Sequence, residues 1–295
     1  MTNKAAMITV CGRPNVGKST LTNTLVGEKI AIVSNKPQTT RNRICAVVTK
    51  GDTQFVFMDT PGFHKPRTRL GDYMVNVVRE SGADVDAVML LVEPLPNIGK
   101  QEQELIARFK ETGVPALLVI NKIDTVQRAE LLEVMAVYSA AYEFDAIIPI
   151  SAKTGEGVDE LLAELSKYAV DGPPLFPDDM ISDQPEKQIC AELVREKLLL
   201  CLDKEIPHGT AVEVTRFSER DDGIIDMDVT IYCEKASHKG IIIGKKGAML
   251  KKIGELARAD IEAFMGTKVF LQTWVKVKEN WRDSQAQLRN FGFTE

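Results

Sequence analysis

The sequence predicts two domains, a doubly wound α/β domain followed by a smaller α+β domain. Strand-like apolar runs alternate with helical segments through residues 1–170, as in a parallel sheet covered by helices. A stretch dense in proline and acid at 171–184 predicts a linker. Beyond it, at 185–295, the predicted order changes to one helix, two strands, two helices and a final strand.

Length and composition are those of an ordinary globular protein. The chain has 295 residues, 44% of them hydrophobic and 27% charged, and a net charge of −5. The negative total excludes a general polycation, so a nucleic-acid site would be a local basic patch. Five scattered cysteines without a C-x-x-C pair favour reduced thiols over disulfides or zinc. Without a signal peptide or an apolar run of about 18 residues, we expect a cytoplasmic protein.

A glycine-rich loop after the first predicted strand indicates a phosphate site. The pattern G-x-x-x-x-G-K-S follows a strand-like run at 7–11 and precedes helical spacing. Backbone N–H groups of the loop and the start of the helix would hold a polyphosphate. Lys18 would reach the β- and γ-phosphates, and Ser19 would ligate Mg²⁺. The alternative is a glycine turn that binds nothing, but such a turn would not require a lysine and a serine at these two positions. The predicted nucleotide-binding residues of this loop are Gly12, Asn15, Val16, Gly17, Lys18, Ser19 and Thr20.

Two later segments are predicted to meet the phosphates and their metal. The polar loop at 34–41 contains Thr39 and Thr40, and we expect Thr40 to be the second hydroxyl ligand of Mg²⁺. A strand-like run at 55–58 leads to Asp59, the position of a Walker-B acid, which would approach the metal through water. Gly62 would donate its backbone N–H to the γ-phosphate.

Two further loops predict a pocket specific for guanine. The tetrapeptide N-K-I-D follows a buried strand, and the Asp124 carboxylate can accept hydrogen bonds from guanine N1–H and N2–H₂, a donor pair that adenine lacks. Asn121 would join neighbouring loops, and the stem of Lys122 would lie over the purine ring. Backbone amides after the next predicted strand would meet guanine O6. They belong to Ser151, Ala152 and Lys153.

A glycine turn in the second domain is predicted to bind single-stranded RNA. Six lysines and no acid lie between Lys235 and Lys252, although residues 181–295 carry 18 basic and 19 acidic residues. In this order of elements the turn resembles that of a KH domain of the second topology, whose glycines let the RNA backbone approach closely. The alternative is a lysine-rich, solvated start of a helix. The predicted RNA-binding residues are Ile243, Gly244, Lys245, Lys246, Gly247 and Lys251.

Over essentially its whole length the sequence resembles the Era family of bacterial ribosome-assembly GTPases. The motifs are GRPNVGKST, QTTR, DTPG, NKID and SAK in the first domain, and I-I-I-G-K-K-G and W-V-K-V-K in the second. The resemblance implies a P-loop GTPase domain that uses GTP, GDP and Mg²⁺, joined to a KH domain that binds near the 3′ end of 16S rRNA. It also implies a role in assembly of the small ribosomal subunit and peripheral contact with the inner face of the cell membrane. We expect a monomer.

The residue after D-T-P-G predicts a departure from the Ras mechanism. Phe63 stands where Ras-like GTPases carry the glutamine that orients the attacking water, and phenylalanine forms no such hydrogen bond. The sequence resembles related GTPases in which an asparagine of the glycine loop, here Asn15, helps to hold K⁺ near the β- and γ-phosphates. The expected catalytic residues are therefore Lys18, Asn15, Thr40 and Gly62.

Three functions compete at this stage. In the first, GTP orders the loops around residues 39–40 and 59–63, and hydrolysis releases RNA. The second is an RNA-binding or membrane-associated protein whose nucleotide site is structural. The third is an ATPase or kinase, and the guanine-specific Asp124 is evidence against it.

No arginine is evidently placed as an internal finger, although Arg41 or Arg67 could approach on loop closure. We therefore expect slow intrinsic turnover.

Overall fold

The computed structural model describes residues 3–36, 39–59, 69 and 85–293. The chain forms two compact units. Among the described residues, the first unit contains 3–31, 40–59 and 85–183. The second contains 32–36, 39, 69 and 184–293. No helix in these ranges is long and apolar enough to cross a membrane.

The first unit is built on a mainly parallel sheet. Its strands are β1 (Lys4–Cys11), β2 (Ile44–Lys50), β3 (Thr53–Asp59), β4 (Ala87–Val92), β5 (Ala116–Ile120), β6 (Ala146–Pro149) and β7 (Val170–Asp171). The order along the sheet is β2-β3-β1-β4-β5-β6, with β2 antiparallel to β3 and the short β7 antiparallel to the start of β1. Because β1 lies between β3 and β4, the chain winds in opposite directions on the two sides of β1. The loops at the carboxyl ends of the strands form a crevice at this switch point.

In the described part of the first unit, four helices pack around this sheet. They are α1 (Lys18–Val26), α2 (Lys100–Thr112), α3 (Arg128–Ala141) and α4 (Val158–Leu165). Every residue of β4 and β5 is buried, because helices cover both faces, and this explains their unbroken apolar sequences. Helix α4 ends at Leu165, and the chain continues as one 3₁₀ turn to Tyr168.

The second unit has the predicted order of elements. It contains α5 (Glu186–Cys201), β8 (Thr210–Glu219), β9 (Ile225–Cys233), α6 (Ala236–Ile243), α7 (Ala248–Met265), β10 (Val269–Val277) and α8 (Gln285–Asn290). The sheet order is β10-β9-β8, with β8 antiparallel and β10 parallel to β9. The short helix α8 extends beyond the elements that the sequence predicts.

Helix α5 carries buried charges that its apolar spacing did not predict. Arg195 is 1% exposed and pairs with Glu192 at 2.5 Å. Lys197 bridges two acids, Glu196 at 2.5 Å and Asp260 of α7. Hydrogen bonds to both acids raise the pKa of Lys197 despite burial. Pairing offsets the cost of removing these charges from water.

The same helix holds a part of the chain that lies far away in sequence. A Glu196 carboxylate oxygen accepts a hydrogen bond from the N–H of Val33 at 2.8 Å, and the Arg195 guanidinium donates to the carbonyl of Thr39. These bonds fix the backbone immediately before Thr40, one of the predicted metal ligands.

The buried Trp281 packs the C-terminal part of the second unit against the rest of that unit. Its indole N–H donates to the Gly209 carbonyl at 3.0 Å. Its ring meets Phe291 edge to face with centroids 5.4 Å apart, and Phe291 in turn lies 4.9 Å from Tyr232. The segment after β10 is therefore part of the core.

Replacing Trp281 by alanine is expected to lower the free energy of unfolding of the second unit by about 3–5 kcal/mol, since it leaves a large cavity. Trp274→Ala is the matched control, because Trp274 is 55% exposed. This substitution is expected to change the free energy of unfolding by no more than about 0.5 kcal/mol. The chain has two tryptophans, both in this unit, so denaturation followed by the fluorescence of the remaining one measures each loss. Similar small losses in both variants would contradict a core role for Trp281.

Candidate functional site

The glycine loop between β1 and α1 follows a path that requires its glycines. Gly12 and Gly17 have φ of +150° and +104°. A Cβ at Gly12 would clash with the Leu91 carbonyl oxygen, and one at Gly17 with the side-chain amide of Asn121. Asn15, at the exposed tip, also has a positive φ of 67°. The loop backbone therefore packs directly on the ends of β4 and β5.

Lys18 lies over this loop at the start of α1. Its Nζ donates to the carbonyls of Gly12 at 3.1 Å and Arg13 at 3.0 Å. Burial lowers the pKa of the Lys18 ammonium, and the nearby negative charge of Asp59 opposes that shift. A desolvated cation beside a glycine loop and a helix N-terminus is suited to bind polyphosphate.

The three predicted metal ligands come together. The Ser19 hydroxyl donates to Asp59 Oδ2 at 2.9 Å and lies 3.0 Å from Thr40 Oγ1. Asp59, the last residue of β3, is fully buried. The neighbouring hydroxyl of Thr39 donates instead to the Lys36 carbonyl at 2.6 Å. One carboxylate and two hydroxyls supply the oxygen donors that Mg²⁺ prefers.

Asn121, directly after β5, connects three loops. Its Nδ2 donates to the Val16 carbonyl at 2.8 Å, and its Oδ1 accepts from the Ala152 N–H at 2.9 Å. The Ala152 carbonyl also accepts from the Thr24 hydroxyl of α1 at 2.6 Å. Ser151 and Ala152 are buried, whereas Lys153 is exposed. The Ala152 amide predicted to face guanine O6 is thus engaged with Asn121 here.

The side chains predicted to recognise the base form hydrogen bonds to other residues of the site. Asp124 Oδ1 accepts a hydrogen bond from the Ser151 hydroxyl at 2.8 Å. Lys122 Nζ donates to the Asn15 carbonyl at 2.8 Å and pairs with Glu93 at 2.5 Å. The stem of Lys122 therefore runs from the base loop to the glycine loop. Sequence reasoning missed Glu93, although its place directly after β4 puts it at the edge where the other site residues lie.

Several predicted site residues lie outside the described residues. They are Gly62, Phe63 and Arg67. Their roles stay predictions, as does K⁺ binding by Asn15. Arg41, the other candidate for an internal finger, is 2% exposed. Of the remaining loop residues, Val16 is fully buried and Thr20 is half-buried on the first turn of α1.

The G-K-K-G turn of the second unit joins α6 to α7 through one 3₁₀ turn. Gly244 and Gly247 have φ of +72° and +80°, in the region that favours glycine. A Cβ at Gly244 would lie 2.7 Å from the Met249 Cβ. The side chains of Lys245 and Lys246 are exposed. The turn thus presents two ammonium groups beside a backbone that a phosphate chain can approach.

The residues flanking the turn expose both apolar and charged side chains. Ile243 is half-buried, while Ile241 and Leu256 are 50% and 42% exposed. Lys251 is exposed and lies 3.9 Å from Glu255, one turn later on α7. The charge of Lys251 is therefore partly offset by Glu255, and the turn contributes the exposed ammonium groups of Lys245 and Lys246.

Comparisons with known proteins identify both units. The family described as 50S ribosome-binding GTPase matches residues 7–122, and the KH domain family matches residues 205–282. GTPase Era of Ruminiclostridium cellulolyticum is 53% identical over 293 residues, which are 99% of this chain and 98% of that protein. GTPase Era of Clostridioides difficile is 49% identical over 294 residues, 99% of each chain.

Two solved structures match this chain from end to end. A point variant of Era from Aquifex aeolicus bound to GDP and AlF4⁻ is 36% identical, with a TM-score of 0.93 over 99% of this chain and 100% of that one. Era in complex with MgGDPNP and nucleotides 1506–1542 of 16S ribosomal RNA is also 36% identical, with a TM-score of 0.92 and the same coverage. These matches confirm the predicted fold, a doubly wound P-loop GTPase domain followed by a KH domain, and the predicted enzyme class. The chain is a GTPase and belongs to the Era family.

Proposed function

We propose that this GTPase binds the 3′ region of 16S rRNA through its KH domain while it holds GTP, and releases that RNA after hydrolysis. The role would be a timed step in assembly of the small ribosomal subunit. The observation that carries the proposal is the presence, in one chain, of a convergent guanine-nucleotide site and an exposed lysine turn of KH type. An Era structure that contains both MgGDPNP and 16S rRNA nucleotides supports it.

The proposed nucleotide site divides its work among three groups of residues. The loop amides and Lys18 would bind the phosphates, and Ser19, Thr40 and Asp59 would hold Mg²⁺, the first two as direct ligands and Asp59 through water. When bound, the metal neutralises charge that develops on the phosphates during hydrolysis. The contacts of Ser19 support this assignment, because its hydroxyl lies 2.9 Å from Asp59 Oδ2 and 3.0 Å from Thr40 Oγ1.

Guanine selection is assigned to the carboxylate of Asp124. The bond from Ser151 occupies one side of that carboxylate and fixes its orientation, leaving oxygen lone pairs for guanine N1–H and N2–H₂. The Lys122 stem, held at its end by Asn15 and Glu93, would support the purine ring.

Hydrolysis would depend on charge stabilisation by the loop. Lys18 and the backbone N–H of Gly62 would stabilise the transferring phosphoryl group, and Thr40 would act through the metal. We assign to Asn15 the binding of K⁺ near the phosphates. Its place at the exposed tip of the glycine loop supports this, because an ion there could reach the β- and γ-phosphates.

Coupling of nucleotide to RNA would pass along the chain at residues 33–40. Val33 and Thr39 are bonded to helix α5 of the KH unit, and Thr40 follows directly. A nucleotide that draws Thr40 toward its metal therefore acts on backbone anchored by Glu196 and Arg195. We further propose a monomer, which the construction of both sites from residues of one chain supports. We propose that it works in the cytoplasm, where its RNA target is assembled, with peripheral contact at the inner face of the cell membrane.

Asp124→Asn is expected to weaken GDP binding by about 10- to 100-fold, because two hydrogen bonds to a charged acceptor are lost. The amide can donate to the O2 of xanthine, so XDP affinity should rise. Isothermal titration with both nucleotides measures the change. Asp159→Asn, on an exposed side chain of α4, is the matched control and should leave both affinities unchanged. Unchanged GDP affinity in Asp124→Asn would contradict the assignment of the base pocket.

Replacing Lys245 and Lys246 together by aspartate is expected to lower affinity for a single-stranded RNA matching the 3′ end of 16S rRNA by at least about 100-fold. Four units of charge change at a phosphate-binding turn. GTP hydrolysis without RNA should stay near that of the unaltered protein. Lys110→Asp with Lys204→Asp makes the same change of charge at exposed positions elsewhere. Equal RNA binding by the two double variants would contradict recognition through the turn, and binding of anionic vesicles in place of RNA would favour a membrane-associated GTPase.

A further inference from the structure

We propose that Glu102 of helix α2 positions the phosphate-binding loop through Arg13, so that the loop is held in its binding geometry before a nucleotide arrives. The inference rests on the assignment of residues 12–19 to phosphate binding. It adds an anchor from a helix that carries none of the sequence motifs. Glu102 is a positioning residue here, because it acts through Arg13 and not on the nucleotide.

A charged pair lies beside the glycine loop. Arg13, the second residue of the loop, forms an ion pair through its Nε with Oε1 of Glu102. The Glu102 side chain is 0% exposed, whereas that of Arg13 is 29% exposed. A buried carboxylate needs a compensating cation, and Arg13 is the ion-pair partner that the described part of the chain gives it. The pair therefore binds the loop to α2.

The beginning of α2 is shaped around this pair. A Cβ at Gly99, the residue before the helix, would lie 2.7 Å from Glu102 Oε2 and 3.5 Å from Arg13 Nη1. The φ of Gly99 is −72°, an ordinary value for any residue. A side chain at this position is therefore limited by space and not by backbone conformation. A Cβ there would force the Glu102 carboxylate to shift and would be in ordinary van der Waals contact with Arg13.

A third element encloses the pair. Tyr138 of α3 is fully buried. Burial and the negative charge of Glu102 raise the pKa of Tyr138 to about 12, so its phenol stays neutral beside the pair. On the side of the buried Glu102, water therefore screens the attraction between the two charges less than it would at the surface.

The pair acts on the beginning of the loop, whereas Asn121 acts on its far side. Asn121 holds the far side of the loop through the Val16 carbonyl at 2.8 Å. Arg13 lies near the beginning, and its own carbonyl accepts from Lys18 Nζ at 3.0 Å. Displacing Arg13 therefore displaces an acceptor of the phosphate-binding lysine. Because the loop contains three positive-φ residues, it would relax toward other conformations when one anchor is lost.

The test compares Glu102→Gln with Glu104→Gln in the full-length protein. Glu104 lies on the same helix, with its side chain 55% exposed, and serves as the matched control. Equilibrium binding of a fluorescent GDP is measured well below the unfolding temperature of each variant. Glu102→Gln should weaken GDP binding about tenfold or more, with kcat at saturating GTP changed by less than about threefold. Glu104→Gln should bind within about twofold of the unaltered protein.

A double-variant cycle separates positioning from general destabilisation. Arg13→Gln should lose affinity as Glu102→Gln does, and the two together should lose less than the product of the single effects. If Glu102→Gln does not fold, Gly99→Ala keeps both charges and displaces the Glu102 carboxylate, and it should still weaken GDP binding several-fold. Normal GDP affinity in a folded Glu102→Gln, or in Gly99→Ala where that variant replaces it, would overturn the proposal. Failure of the unaltered protein to bind GDP, or normal GDP binding by Lys18→Ala, would instead overturn the assignment of the loop itself.

Discussion

The backbone path of the glycine loop is the constraint on which the first unit depends. Gly12 and Gly17 adopt positive φ and leave no space for a Cβ against the ends of β4 and β5. Such a path is costly for a free chain, and the neighbouring elements hold it in place. Asn121 and Glu102 supply two of these anchors from opposite sides. The result is a loop prepared for phosphate, with the desolvated Lys18 already beside it.

The geometry of a parallel sheet explains why residues from short, distant sequence motifs lie together in this structure. Parallel strands end at one edge of a sheet, so polar residues that directly follow buried strands are brought together. Asp59 after β3 reaches Ser19, and Asn121 after β5 reaches both the glycine loop and Ala152. The sequence predicts the buried strands because their apolar runs are unbroken. It predicts the lysine turn because two helical patterns, α6 and α7, flank it.

Contacts between distant polar residues could not be predicted from the sequence. Glu102 occupies the polar-looking start of an amphipathic helix, where a charged side chain usually faces water. Arg195, Glu196 and Lys197 follow one another on α5, yet all three are buried, and each forms a bond to a distant part of the chain, to Thr39, Val33 and Asp260 respectively. Local periodicity reports which faces are apolar. It does not report which charges find a partner in the interior.

The central claim is that the nucleotide held by the first unit sets the RNA affinity of the second. The most direct measurement is the affinity of the full-length protein for a short single-stranded RNA matching the 3′ end of 16S rRNA, with GDP and then with a non-hydrolysable GTP analogue, both with Mg²⁺. The account predicts tighter RNA binding with the analogue. Equal affinities in the two states would contradict coupling within this chain.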